Sequence, residues 1–130
     1  RRVLFRSTNA LVVIDDAYNG SVEGARAALD AISNFKSKKI VVTPGLVELG
    51  KEEFNSNFEL GREMSKVCDY VIIVGINNYD ALSSGLEFGG FNSDNVLRAG
   101  SLGQAIDVLN TVARPGDVVL FENDLPDNYN

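Results

Sequence analysis

Val13-Ile-Asp-Asp-Ala-Tyr-Asn-Gly20 runs an apolar, strand-like segment straight into two carboxylates, Asp15 and Asp16, an aromatic, Tyr18, and an amide, Asn19. In a parallel α/β sheet, side chains just past the carboxyl end of a strand line the crevice where ligands bind. Two acids there suit ribose hydroxyls or a metal ion. They suit a turn and a helix start equally well, because Asp and Asn are favoured at both, and the pattern alone leaves the two open. Another acid, Glu48, lies in Thr43-Pro-Gly-Leu-Val-Glu-Leu-Gly50 after a second apolar run, where Pro44 and Gly45 bend the backbone. A carboxylate near a helix N-terminus is also common for dipole reasons alone. The segment Phe121-Glu-Asn-Asp-Leu-Pro-Asp127 adds three acids, among them Asp124, and the amide Asn123 within six residues. That density exceeds what solubility calls for, with an exposed loop as the alternative. Gly75-Ile-Asn-Asn78 offers a tight turn and two amides, which suit a ligand or the cap of the next helix.

What is absent narrows the chemistry. No G-x-x-x-x-G-K-[ST] loop and no G-x-G-x-x-G follows a strand, and Gly85, Gly89 and Gly90 have the wrong spacing, so phosphate must be held elsewhere. With no histidine in the chain and Cys68 as its one cysteine, Ser/His and Cys/His nucleophilic schemes, His-ligated metals and a zinc site are excluded. No metal ligands are expected within this chain, and self-contained catalysis is not expected. A net charge of −6, with no basic cluster longer than Lys38-Lys39, argues against nucleic acid or an anionic membrane surface as partner. No apolar run reaches the length of a membrane span, and the start lacks a signal-peptide core, so a cytoplasmic location is expected. Cys68 suits a reducing compartment and a packing role.

These residues need a frame, and the periodicity supplies one. At 130 residues and 45% hydrophobic content the chain matches one ordinary domain. Continuous Val/Ile runs predict buried parallel strands at Ala10–Asp15, Lys39–Thr43, Asp69–Val74, Val96–Arg98 and Asp117–Glu122. Between them, helical spacing predicts Ser21–Asn34, with Val22, Ala25, Ala28, Leu29 and Ile32 on one face and Ser21 as N-cap. It also predicts Glu52–Val67, with Phe54, Phe58, Leu60, Met64 and Val67 on one face, then Tyr79–Phe88 and Leu102–Ala113, the last stopped by Arg114-Pro-Gly116. Alternating β and α implies an α/β, Rossmann-like three-layer domain: a mostly parallel sheet of five or six strands with helices on both faces. The first seven residues, Arg1-Arg-Val-Leu-Phe-Arg-Ser7, look like one reading frame of a sequencing-library adapter, which makes residues 1–7 a scar and residues 8–130 the natural domain. A native basic strand is the alternative.

IDDAYN after the first strand, the ELG-containing loop Thr43–Gly50, CDYVIIVG, and GDVVLFEN in the last strand together resemble the C-terminal domain of the Mur ligase family. The likeness covers about Asn9 to Asn130. Within the family it lies nearest the branch that adds D-alanyl-D-alanine to UDP-N-acetylmuramoyl tripeptide. The resemblance implies a three-domain, ATP-dependent, amide-forming enzyme of peptidoglycan synthesis, with this chain as its third domain and inactive alone. Chemistry in that family runs through an acyl phosphate that the incoming amine attacks, with Mg²⁺ balancing phosphate charge. ATP and Mg²⁺ would be held mainly by a central ATPase domain of the same polypeptide, which carries the P-loop. The C-terminal domain would close over the nucleotide and bring the amine, excluding water from a hydrolysable intermediate.

By the same resemblance Asp15 or Asp16 would accept hydrogen bonds from the ATP ribose. Tyr18 and Asn19 would lie near the nucleotide and incoming amine, and Glu48 near the incoming amine. Asn123 and Asp124 would belong to the substrate side of the last loop. The chain departs from its relatives in three places. Thr43-Pro-Gly45 replaces a G-D-M-like run, Glu122-Asn-Asp124 replaces a K-G-S-R-like run, and Asn57 replaces a histidine in the helix after ELG. Loss of the basic last loop removes donors for a substrate carboxylate and leaves the exact amine open. A signalling receiver domain would need an Asp ending the third strand and a Lys ending the fifth, where this chain has Val74-Gly75 and Glu122-Asn123. A folate-tail glutamate ligase would favour histidine at Tyr18.

Overall fold

The Val/Ile runs form strands and the amphipathic runs form helices, in the predicted order. A computed structural model describes residues 2–3, 11–14, 21–46 and 50–121. The elements are β1 (Arg2–Val3), β2 (Leu11–Ile14), α1 (Val22–Ser33), β3 (Lys39–Thr43), α2 (Glu53–Val67), β4 (Tyr70–Val74), α3 (Tyr79–Phe88), β5 (Val96–Ala99), α4 (Leu102–Val112) and β6 (Val118–Phe121). Single 3-10 turns at Gly50–Glu52 and Ser93–Asn95 lead into α2 and β5. The six strands lie in the order β1-β2-β6-β3-β4-β5. All neighbours are parallel except β1, which runs antiparallel to β2 with Arg2 opposite Ile14. β1 is not among the strands expected from periodicity.

The placement of the helices follows from the handedness of the crossovers. From β2 to β3, β4 and β5 the chain steps across the sheet in one direction, so right-handed connections put α1, α2 and α3 on one face. From β5 to β6 it steps back, and the same handedness puts α4 on the other. Two cores result. Ala25, Leu29 and Ile32 of α1, Leu60 and Met64 of α2, and Leu82 and Leu86 of α3 pack on Val41, Val71 and Ile73. Ala105 and Leu109 of α4 pack on Ile40, Val42, Ile72 and Val119. Strands buried on both faces must be apolar throughout, which is why β4 and β6 show no alternation. Cys68 packs in the first core, as expected of a structural thiol.

Ser21 caps α1 by accepting a hydrogen bond from Gly24 N at 3.0 Å, and Ser101 caps α4 through Gln104 N at 3.2 Å. The face of α2 differs from expectation. Asn57, Leu60, Gly61 and Met64 are buried, whereas Phe54 is 55% exposed and Phe58 tilts against Phe88 with ring centroids 5.6 Å apart. Small residues, not large ones, set this contact. A Cβ on Gly61 would lie 2.4 Å from Leu82 O, and one on Gly85 would lie 2.0 Å from Phe58 O, so α2 and α3 meet backbone to backbone.

At the amino ends of β3 and β6, the buried Asp117 carboxylate accepts from Arg114 N at 2.7 Å and pairs with Lys38 Nζ at 3.3 Å. Lys38 also donates to Val112 O at 2.8 Å and lies 5.0 Å from the Tyr70 ring centroid, tying the end of α4 to the start of β3. Asp117→Ala removes the acceptor of the Arg114 N–H and the ion-pair partner of Lys38, and is expected to cost about 2 kcal/mol in urea denaturation. Asp117→Asn keeps an acceptor and should cost about half of that.

Candidate functional site

Parallel register carries the strand ends to a single edge. Ile14 lies beside Phe121, Phe121 beside Val42, Thr43 beside Ile73, and Val74 beside Ala99. The residues singled out for chemistry, Asp15, Asp16, Tyr18, Asn19, Glu48, Asn123 and Asp124, lie outside the described residues. Described at that edge are the strand ends leading into them and the apparatus that holds the chain after β3.

That apparatus is built from two buried amides. Thr43, Pro44, Gly45 and Leu46 are all buried as the chain leaves β3. Thr43 Oγ1 accepts from Gly45 N at 2.9 Å and starts the turn. Asn57, fully buried on α2, pairs with Leu46 in both senses: its Oδ1 accepts from Leu46 N at 2.7 Å and its Nδ2 donates to Leu46 O at 2.9 Å. The same Nδ2 reaches Glu53 O at 2.8 Å. Asn78 donates through Nδ2 to Leu46 O at 3.1 Å and Pro44 O at 3.3 Å. Sequence reasoning offered Asn78 as a ligand contact or a helix cap. It occupies the N-cap position of α3 but makes no side-chain cap bond, because its amide is turned to the β3 loop instead. Nothing in the local sequence marks a partner 32 residues away. An amide inside an otherwise apolar helical face, as at Asn57, was the available signal.

Farther along the edge, Gly75, Ile76, Arg98, Ala99, Gly100 and Gln104 line an open groove of about 320 Å³ at the ends of β4 and β5. Arg98 lies over the Tyr79 ring, 4.5 Å from its centroid, and Gln104 Oε1 accepts from Gly100 N at 2.7 Å. The groove thus presents donors rather than carboxylates. Among the described residues no three of His, Cys, Asp and Glu come together. No described helix is long and apolar enough to cross a membrane.

The profile of the family described as "Mur ligase, glutamate ligase domain" matches residues 1–122. The chain belongs to the Mur ligase family. This Mur ligase domain is similar to the crystal structure of the MurF ligase from Thermotoga maritima in complex with ADP. There the identity is 27%, the TM-score 0.73, and the match covers 94% of this chain but 26% of that one. MurF from Acinetobacter baumannii shares the fold at 22% identity and a TM-score of 0.71, over 92% of this chain and 26% of that one. The chain therefore spans about a quarter of the length of these ligases. No curated protein sequence matches it. Family and fold together favour a Mur ligase over a signalling receiver or a folate-tail ligase.

Proposed function

We propose that residues 8–130 are the third domain of a three-domain, ATP-dependent ligase that joins D-alanyl-D-alanine to UDP-N-acetylmuramoyl tripeptide in the cytoplasm, during peptidoglycan synthesis. Residues 1–7 carry none of this function in our reading, although Arg2–Val3 flanks β2. The observation that carries the proposal is the 27% identity to an ADP-bound MurF ligase over nearly the whole chain. Convergence of the β2, β3 and β6 ends supports it. So does apolar exposure on segments leaving that edge, Ile76 at 74% and Phe54 at 55%, which suits a surface covered by a central ATPase domain of the same polypeptide.

In this scheme the nucleotide supplies the phosphoryl group that activates the peptide carboxylate, and with Mg²⁺ it is held mainly by the central domain. Asp15 or Asp16 orients the ribose. Tyr18 and Asn19 serve near the nucleotide and incoming amine, and Glu48, Asn123 and Asp124 serve in binding the dipeptide. Bringing the amine to a water-free acyl group is the domain's contribution, a matter of positioning rather than proton transfer.

Asp15→Ala and Asp16→Ala, placed separately in the full-length parent, test the ribose contact. A lost hydrogen bond to a charged acceptor should raise the apparent KM for ATP about tenfold or more in one of the two. Unchanged values in both would reject the role. Phosphate release with D-alanyl-D-alanine against glutamate decides the amine class.

A further inference from the structure

We propose that the groove at the ends of β4 and β5 binds the carboxylate of the incoming amine substrate, with Arg98 as the residue that receives it. The inference deepens the reading above, in which this domain brings the dipeptide, and rests on it.

The groove follows from the topology. β4 and β5 are neighbours in the sheet, yet the chain leaves β4 for α3 on one face and β5 for α4 on the other. Connections that part in this way open a crevice outside the carboxyl ends of the two strands, which is where open α/β sheets bind ligands. Gly75 N donates to Ala99 O at 2.7 Å and closes the floor between the two turns. A volume of about 320 Å³ lies at the small end of the range for ligand sites and suits one end of a dipeptide.

The lining selects the charge of the ligand. Arg26 and Arg62 pair with Glu63 and Glu59, and Arg114 donates to Ala113 O. Among the described residues the exposed Arg98 guanidinium has no such acceptor and is held by its face, 4.5 Å from the Tyr79 ring centroid. Stacking of this kind fixes the guanidinium plane and leaves the N–H groups, which lie in that plane, unspent. Gln104 Oε1 is engaged by Gly100 N, so its Nε2 is the atom left to a ligand. No carboxylate is among the described residues that line the groove, and one wall is the first turn of α4, at the positive end of the helix dipole. A fixed, unpaired guanidinium fork matches a carboxylate, which takes two parallel hydrogen bonds from it.

The size of the substrate fits the spacing of the sheet. Neighbouring strands lie about 4.8 Å apart and two residues span at most about 7 Å, so a dipeptide held at β5 by its carboxylate reaches with its amine toward the ends of β4 and β3. Gripping the end that does not react leaves the amine free to attack.

The test uses the full-length parent with two amines, D-alanyl-D-alanine and D-alanyl-D-alaninamide, which lacks the carboxylate charge. Arg98→Gln should raise KM for the dipeptide about tenfold and leave KM for ATP within about twofold. With the amide as substrate the same variant should change KM by less than about twofold, because the partner of Arg98 is already gone. Arg98→Lys keeps the charge but loses the fork, and should raise KM for the dipeptide about threefold. Thermal stability should stay at that of the parent in both variants, since Arg98 is exposed. A dipeptide KM unchanged in Arg98→Gln, or raised equally for the dipeptide and its amide, overturns the inference and leaves the amine assignment standing. If the parent releases no phosphate with D-alanyl-D-alanine, the amine assignment fails and the inference falls with it.

Discussion

Gly85→Ala should remove a large part of the domain's stability, against the direction that helix propensity predicts. In an exposed helix the change stabilises by about 1 kcal/mol. Here the added Cβ would lie 2.0 Å from Phe58 O and 3.0 Å from Arg62 N, atoms of a backbone that cannot turn aside. The helices must separate, and the loss reaches Leu60, Met64, Leu82 and Leu86, all buried in one core. Overpacking of this kind costs about 3 kcal/mol or more, out of a typical total of about 5–15 kcal/mol. Urea denaturation of the chain should show the midpoint falling by about 1–2 M at unchanged slope. A midpoint equal to or above that of the parent chain would show that α2 and α3 do not approach at this point.

Gly45→Ala should be the most damaging single change at the candidate site. Two costs combine. Gly45 sits at φ +86°, where an L side chain is strained by about 1 kcal/mol, and the new Cβ would meet Asn57 Oδ1 at 2.6 Å with Leu82 Cδ1 at 3.1 Å. Together these should remove about 2–4 kcal/mol. Gly90→Ala is the internal control, since Gly90 has the same φ of +86° but nothing within 4 Å of its would-be Cβ. It should cost about 1 kcal/mol, so the difference between the two isolates the close contact. Equal losses in urea denaturation would mean that Asn57 does not press on the Gly45 backbone.

Most of the fold was legible because its signals are local. Ser21 announces a helix start, the 3.6-residue spacing of Ala25, Leu29 and Ile32 announces a face, and continuous Val/Ile runs announce strands covered on both sides. β1 was missed because two residues, Arg2 and Val3, carry no periodicity. The α2 face was misplaced at Phe54 because hydrophobic spacing favours large side chains, whereas the α2/α3 contact is decided by two glycines in different helices. The same holds at the site. IDDAYN and ELG were visible as motifs, but the amides that hold the chain after β3 act across 11 and 32 residues, separations that no helical or strand spacing marks.

The last strand occupies the middle of the sheet. Because β6 is seated between β2 and β3, with Leu11 against Val118 and Lys39 against the same residue, the early strands have no common neighbour until Val118–Phe121 has been synthesised. Until then the sheet is two separate pieces, β1-β2 and β3-β4-β5, each with an open flank able to recruit a stray strand. Joining them requires closing a loop almost as long as the chain, a slow event in the topology-limited sense. Damage near Val118 should thus reduce the yield of folded protein in cells well beyond what its effect on equilibrium stability implies.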